Sequence, residues 1–270
     1  MLGAIAGDVI GSVHEHAGRK DCDFELFVSG SRFTDDTVLT VATAEAILSG
    51  SDYAASYHDY GNRYPHAGYG GAFRRWLRDE SRSAYGSWGN GSAMRVSPIG
   101  LAASSVEQAL AWAEDSAAVT HNHPEGIRGA QAVALAVHLA RAGETKASIR
   151  AQLTDCLGYD LTRTVEEIRP GYSFEVSCQG SVPEAIIAFL ESDSLESAIR
   201  TAISLGGDAD TQAAIAGGIA EAFWGGVPDS IATETIRRLP KEFVDVISEF
   251  EARFPLSRPL VEPEVDGELT

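Results

Sequence analysis

Apolar residues recur at three- and four-residue steps through most of this sequence and almost nowhere alternate. That period puts side chains on one face of a helix, so it restricts the chain to folds made by packing helices on helices. Leu2, Ile5, Ala6, Val9 and Ile10 set the pattern at the start. Segments 37–49, 105–120, 124–142, 181–192, 195–205, 211–224, 228–239 and 241–253 continue it. Ser105 with Gln108 and Ser181 with Glu184 have capping-box spacing, and Pro124 suits a first turn. Gly143, Gly206-Gly207, Gly225-Gly226 and Pro240 mark ends. Only 172–178, YSFEVSC, reads as a short extended piece. Two stretches rich in glycine and aromatics, 61–71 and 84–92, read as long ordered loops, the kind of segment that carries function. The expectation is one compact all-α domain over 1–260 and a loose acidic tail over 261–270.

A chain of 270 residues can bury a substantial core. No apolar run approaches the roughly 18–20 residues of a membrane helix. The start lacks a basic region and Asp8 interrupts it, so no signal peptide is expected. Cys22, Cys156 and Cys178 are too scattered for a disulfide framework or a zinc site, which points to a cytoplasmic, reducing location. Lys and Arg total 21 against 39 Asp and Glu, a formal net charge of −18. Unspecific nucleic-acid binding relies on basic patches and is disfavoured, although a local patch would overrule the total. No long heptad pattern signals an oligomer, and a monomer is expected.

Two acidic turns stand out. Thr34-Asp35-Asp36-Thr37 precedes one apolar helix, and Gly206-Gly207-Asp208-Ala209-Asp210-Thr211 precedes another. One helix cap needs one side chain, and both turns supply more acceptors than that. If the turns meet in space, four carboxylates must be neutralised by cations or must bind protons. Carboxylate and hydroxyl oxygens are hard ligands that suit magnesium, manganese or calcium, and no EF-hand loop is present. Asp8 lies in an apolar stretch and reads as a structural acid that caps a neighbouring helix or bonds backbone. Glu15, read alone, is a solvated surface acid. Residues 86–95, GSWGNGSAMR, are able to cradle a phosphate through backbone N–H groups. His121-Asn122-His123-Pro124 reads as an ordinary helix start.

Taken in order, GDVIGSVHE, FTDDT, YGGAFRRW, GNGSAMRVSPIG, THNHPEGIRGA and GGDADTQAAIAGGIAEAFWG resemble the ADP-ribosylglycohydrolase family over roughly residues 3–224. The resemblance implies a compact orthogonal helical bundle. It implies a hydrolase that cleaves the glycosidic bond between ADP-ribose and an acceptor, a protein side chain by default. It makes Thr34, Asp35, Asp36, Asp208, Asp210 and Thr211 ligands of two Mg²⁺ or Mn²⁺ ions, with one Asp bridging. Glu15, Asp36 and Asp210 take catalytic positions, which replaces the surface reading of Glu15. Gly70, Gly71, Ser87, Trp88, Gly89, Asn90 and His121 take positions that wrap the ligand. Rival readings are an ADP-ribose-binding or transferase-blocking protein without activity, a hydrolase of ADP-ribosylated nucleic acid, a metal-dependent phosphohydrolase, and a purely structural helical protein.

Overall fold

The computed structural model describes residues 1–256; the expected tail, 261–270, and the end of the expected domain, 257–260, lie outside the described residues. The described residues form an all-α fold. Its helices are α1 (Leu2–Gly11), α2 (Asp35–Ser49), α3 (Tyr53–Arg63), α4 (Gly71–Trp76), α5 (Ser97–Ala102), α6 (Val106–Ala118) and α7 (Pro124–Arg141). They continue with α8 (Lys146–Leu157), α9 (Val165–Ile168), α10 (Cys178–Leu190), α11 (Leu195–Ile203), α12 (Ala209–Trp224), α13 (Asp229–Ile236) and α14 (Lys241–Arg253). A 3₁₀ turn spans Asn90–Ser92. None of these helices is long and apolar enough to cross a membrane.

The centre of the fold is α12. All of its residues from Ala209 to Ala222 are buried, and it packs against α1, α7, α10 and α11. A helix buried on every side needs small residues wherever a neighbour's backbone comes close. Gly3, Gly7 and Gly11 recur every four residues on α1 and face α12. A Cβ on Gly7 would collide with Ala213 O, and one on Gly11 would lie 2.5 Å from Asp210 Cα. The two helices therefore touch backbone to backbone. Glu221, near the end of α12, accepts from the Leu2 N–H (3.2 Å) and Gly3 N–H (2.9 Å) and pairs with the Met1 ammonium at 2.7 Å. Two of the unsatisfied amides at the start of α1 find their partners there.

Several helices lie outside the periodic segments: α3, α4, α5, α8 and α9. The expected loop at 61–71 contains the end of α3 and the start of α4. Asp52 caps α3 by accepting from Ala55 N–H at 2.9 Å, but the helix body, YAASYHDYGNR, is too polar to show an apolar face. The segment expected at 181–192 begins earlier. Ser177 caps α10, and Pro183 falls inside the helix. Ser181, expected as the cap, donates its hydroxyl to Ser177 O at 2.7 Å. The extended piece at 172–178 pairs with the expected loop at 84–92. Asn90 N–H donates to Val176 O and Cys178 N–H to Trp88 O, both at 2.8 Å, around an antiparallel bridge between Gly89 and Ser177.

Candidate metal and substrate site

The contact between α1 and α12 fixes where the two acidic turns meet. Asp8 lies on α1, all of whose residues are buried. A carboxylate placed there must be fully hydrogen-bonded, and the donors come from the start of α2. Thr34 N–H (2.9 Å) and Thr37 N–H (3.1 Å) donate to Asp8 Oδ2, the Thr34 hydroxyl donates to Oδ1 at 2.7 Å, and the Thr37 hydroxyl donates to Oδ2. Asp8 is thus the structural acid the sequence suggested, a cap supplied by another helix. One of its oxygens also lies within 4.8 Å of oxygens of Asp36 and Asp210. Thr34 is the N-cap of α2, and Asp35 and Asp36 sit in its first turn, where the helix dipole favours negative charge.

The second turn is anchored from below. Gly206 has φ 73°. The Lys20 ammonium donates to Leu205 O (2.5 Å), Tyr172 O (2.6 Å) and Arg169 O (2.8 Å). Asp208 precedes α12 and accepts from Asn90 Nδ2 at 2.8 Å, so a loop residue expected to touch substrate also holds an acid in place. Asp210 and Thr211 follow in the first turn of α12, and Thr211 N–H donates to Asp210 Oδ1 at 2.9 Å.

Two carboxylate triads result. Asp8, Asp36 and Asp210 form one; Glu15, Asp208 and Asp210 form the other. Within each triad the oxygens lie within 4.8 Å of one another. Asp210 belongs to both. Asp35 belongs to neither; its Oδ1 lies beside Gly68 at the cavity wall. Asp36 Oδ1 is buried without a hydrogen-bond partner. Burial, then the mutual repulsion of these acids, holds Asp36 and Asp210 well above the ordinary carboxylate range. The same causes push Asp35 up to about 8. Burial also raises Asp8 and Asp208, against the hydrogen bonds they accept. Glu15 is raised by burial and then by Asp208. Converging hard-oxygen donors, one of them orphaned, fit divalent cations.

Every acid of the triads except Asp8 lines a cavity of about 350 Å³. Glu15, Asp35, Asp36, Gly70, Ser87, Gly89, Asn90, His121, Asp208, Asp210 and Thr211 line it, which gathers eleven of the residues marked in the sequence. Thr34, Gly71 and Trp88 do not line it. Thr34 is turned to Asp8, and Trp88 stands 54% exposed at the rim against His123. His121 is buried, and its Nδ1 sits 2.7 Å from the Thr120 hydroxyl. Burial, then the Arg95 charge, holds its pKa well below the usual value, so the ring is neutral near pH 7.

Other lining residues were not marked. Phe174 and Val176 are exposed and face the cavity from the extended piece, and their two-residue spacing carries that signal. Tyr85 and Arg95 also line it. Arg95 is fully buried over the Tyr57 ring (4.3 Å) and bonded to Ser116 O (2.8 Å) and Thr120 Oγ1 (3.1 Å). No local pattern announces a buried arginine.

Comparisons with known proteins show the family and the fold. A model of the ADP-ribosylglycohydrolase family matches residues 1–258. ADP-ribosylhydrolase ARH3 of Bos taurus is 31% identical over 315 residues, covering 85% of this chain and 86% of that protein. ADP-ribosylarginine hydrolase Tri1 of Pseudomonas putida is 25% identical over 300 residues, covering 91% and 76%. A solved structure described as an ADP-ribosylglycohydrolase-related protein complex matches with a TM-score of 0.67 at 26% identity, covering 95% of this chain and 97% of that one.

Proposed function

Because the chain belongs to the ADP-ribosylglycohydrolase family, we propose that it is a metal-dependent hydrolase that releases ADP-ribose from a modified protein side chain. The observation that carries this reading is the pair of carboxylate triads, buried except for Glu15, that share Asp210 at the cavity. Asp36, Asp208 and Asp210, completed by Thr34, Asp35 and Thr211, are the residues to hold two Mg²⁺ or Mn²⁺ ions. Such ions supply Lewis-acid polarisation of bound oxygens and lower the pKa of water.

The chain's own groups divide the remaining work. Gly70, Gly89 and Ser87 offer close backbone approach and donors to the diphosphate, and neutral His121 adds a side chain that carries no charge of its own. Trp88, Phe174 and Val176 present apolar surface at the rim to the base. Glu15 lies at the edge of the acid cluster with its side chain 37% exposed, open to water on one side. Its raised pKa suits a group that takes a proton during the reaction. Water oxygen bonds to the ribose C1 as the bond from C1 to the acceptor breaks. Glu15 accepts a proton from the water and returns it to the departing acceptor, while the second water proton stays on the new C1 hydroxyl. The transition state has oxocarbenium character, which the surrounding carboxylates stabilise.

The test is release of free ADP-ribose from peptides modified on Arg, Ser or Glu, measured by mass spectrometry with Mg²⁺ and with EDTA. Release from one linkage in Mg²⁺ alone is expected, and Asp210→Asn is expected to lower its rate by on the order of 10²-fold or more. Full turnover by Asp210→Asn at limiting Mg²⁺ would remove the metal assignment. Thermal stabilisation by ADP-ribose without release from any linkage would replace the enzyme with a binding protein.

A further inference from the structure

The chain is strongly acidic, yet Arg74, Arg75, Arg78 and Arg82 fall within nine residues. All four are exposed, and none has an ion pair or a side-chain hydrogen bond. Elsewhere arginines such as Arg63, Arg128, Arg163 and Arg200 are paired with acids. The segment's own acids leave these four free. Asp79 spends both carboxylate oxygens on Ser81, accepting from its N–H (3.0 Å) and its hydroxyl (2.9 Å), and Glu80 pairs with none of the arginines. Arg82 has φ 49°, the one positive value outside glycine among the described residues, a strained conformation of the kind found at functional positions.

The cluster flanks a side cavity of about 310 Å³ lined by Ala72, Arg75, Trp76, Asp79, Ser83 and Tyr85. Ala72 and Tyr85 line the main cavity as well, so the two spaces adjoin. Trp76 is only 2% exposed, and its indole N–H has no acceptor. A guanidinium, an unused buried N–H and a serine hydroxyl form a donor set with unspent capacity for anionic oxygen.

We propose that this ledge and its side cavity form a phosphate-binding extension of the main site, and that the acceptor it fits is a single-stranded nucleic acid. The inference rests on the ADP-ribosyl hydrolase reading for the chemistry and adds a second class of acceptor to the protein side chain proposed above. Guanidinium forks match phosphate oxygens. Several of them spread over 74–82 engage successive phosphates of one strand, whereas a lone phosphorylated side chain would use one. A duplex would lay its second row of phosphates beyond the ledge, over a chain whose formal net charge is −18, so a single strand is the form that fits.

The test separates this extension from the hydrolase reading. A fluorescent, unmodified single-stranded DNA oligonucleotide is titrated with the full chain and with the Arg75→Gln/Arg78→Gln/Arg82→Gln variant at several salt concentrations. Gln keeps most of each stem and removes the charge. The wild type is expected to bind, the variant's Kd to rise at least about tenfold, and the slope of log K against log[salt] to fall by about 2, for three contacts at ~0.7 each. Release of ADP-ribose from an arginine-linked peptide is expected to be unchanged in the variant, while KM for an ADP-ribosylated oligonucleotide rises. The proposal is overturned if the oligonucleotide does not bind, if the variant binds it equally, or if a phosphoserine peptide of equal charge competes as well. Failure of the hydrolase reading shows separately, as no ADP-ribose released from any linkage while the oligonucleotide still binds.

Discussion

Asp8 and Asp36 are both buried carboxylates, and their substitution should move stability in opposite directions. Asp8 accepts every donor aimed at it. Asp8→Asn replaces one accepting oxygen by an NH₂ group that only donates, in a ring of donors two of which, the Thr34 and Thr37 N–H groups, cannot accept, and should cost about 1–3 kcal/mol along with activity. Asp36 leaves one oxygen unpartnered among like charges. Asp36→Asn should stabilise the metal-free protein by about 1–2 kcal/mol, roughly 2–8 °C in Tm, while abolishing ADP-ribose release. Urea denaturation in EDTA beside the release assay reads both signs. A loss of stability in both variants would mean that the acids are not mutually repulsive. Residue by residue, the acids were the legible part of the site, because two short turns concentrate more oxygen donors than capping requires. The position of Asp8 over Thr34 and Thr37 was half legible: its apolar surroundings marked it as structural, but which helix it caps depends on a packing of α1 on α2 that no local pattern encodes. Arg95 and the free arginines at 74–82 were not legible as such, since burial and the lack of a partner are properties of the assembled chain.

At the scale of the element, α1 and α12 decide the geometry. Gly7→Ala places a methyl group against Ala213 O and should cost at least about 3 kcal/mol, the upper range for overpacking. Gly50→Ala, at a helix end with φ 70° and open space around it, should cost only about 1 kcal/mol. Thermal melts of the two variants check the ranking; equal losses would show that the helix contact is looser than described. Long helices with an apolar stripe were readable from their period. Helices α3, α4, α5, α8 and α9 were not, because their polar or brief sequences are held by caps and neighbours. The Ser181–Glu184 spacing drew the expected start of α10 to Ser181, whereas the cap is Ser177, whose hydroxyl accepts from Gly180 N–H.

For the whole molecule, the acid cluster couples folding to pH and to metal. The carboxyl pKa values are raised in the folded state, Asp35 to about 8, so between the ordinary value near 4 and that point the native state binds more protons than the unfolded chain. The stability these groups contribute is present below about pH 4 and is lost as pH rises through their folded values. In EDTA, Tm should therefore fall between roughly pH 5 and 8. Mg²⁺ should reverse the trend, because it binds the deprotonated acids. Calorimetry across that range, with and without Mg²⁺, checks the sign, and an EDTA curve that rises with pH would contradict it. The glycine row between α1 and α12 works on a longer timescale. Backbones in contact leave no slot for a new side chain, so a lineage descended from such a chain inherits the spacing of its acids almost unaltered. Only the exposed positions of the rim, within 61–92 and 170–177, are left free to vary, and new acceptors should be gained there by drift above an inherited and nearly fixed floor.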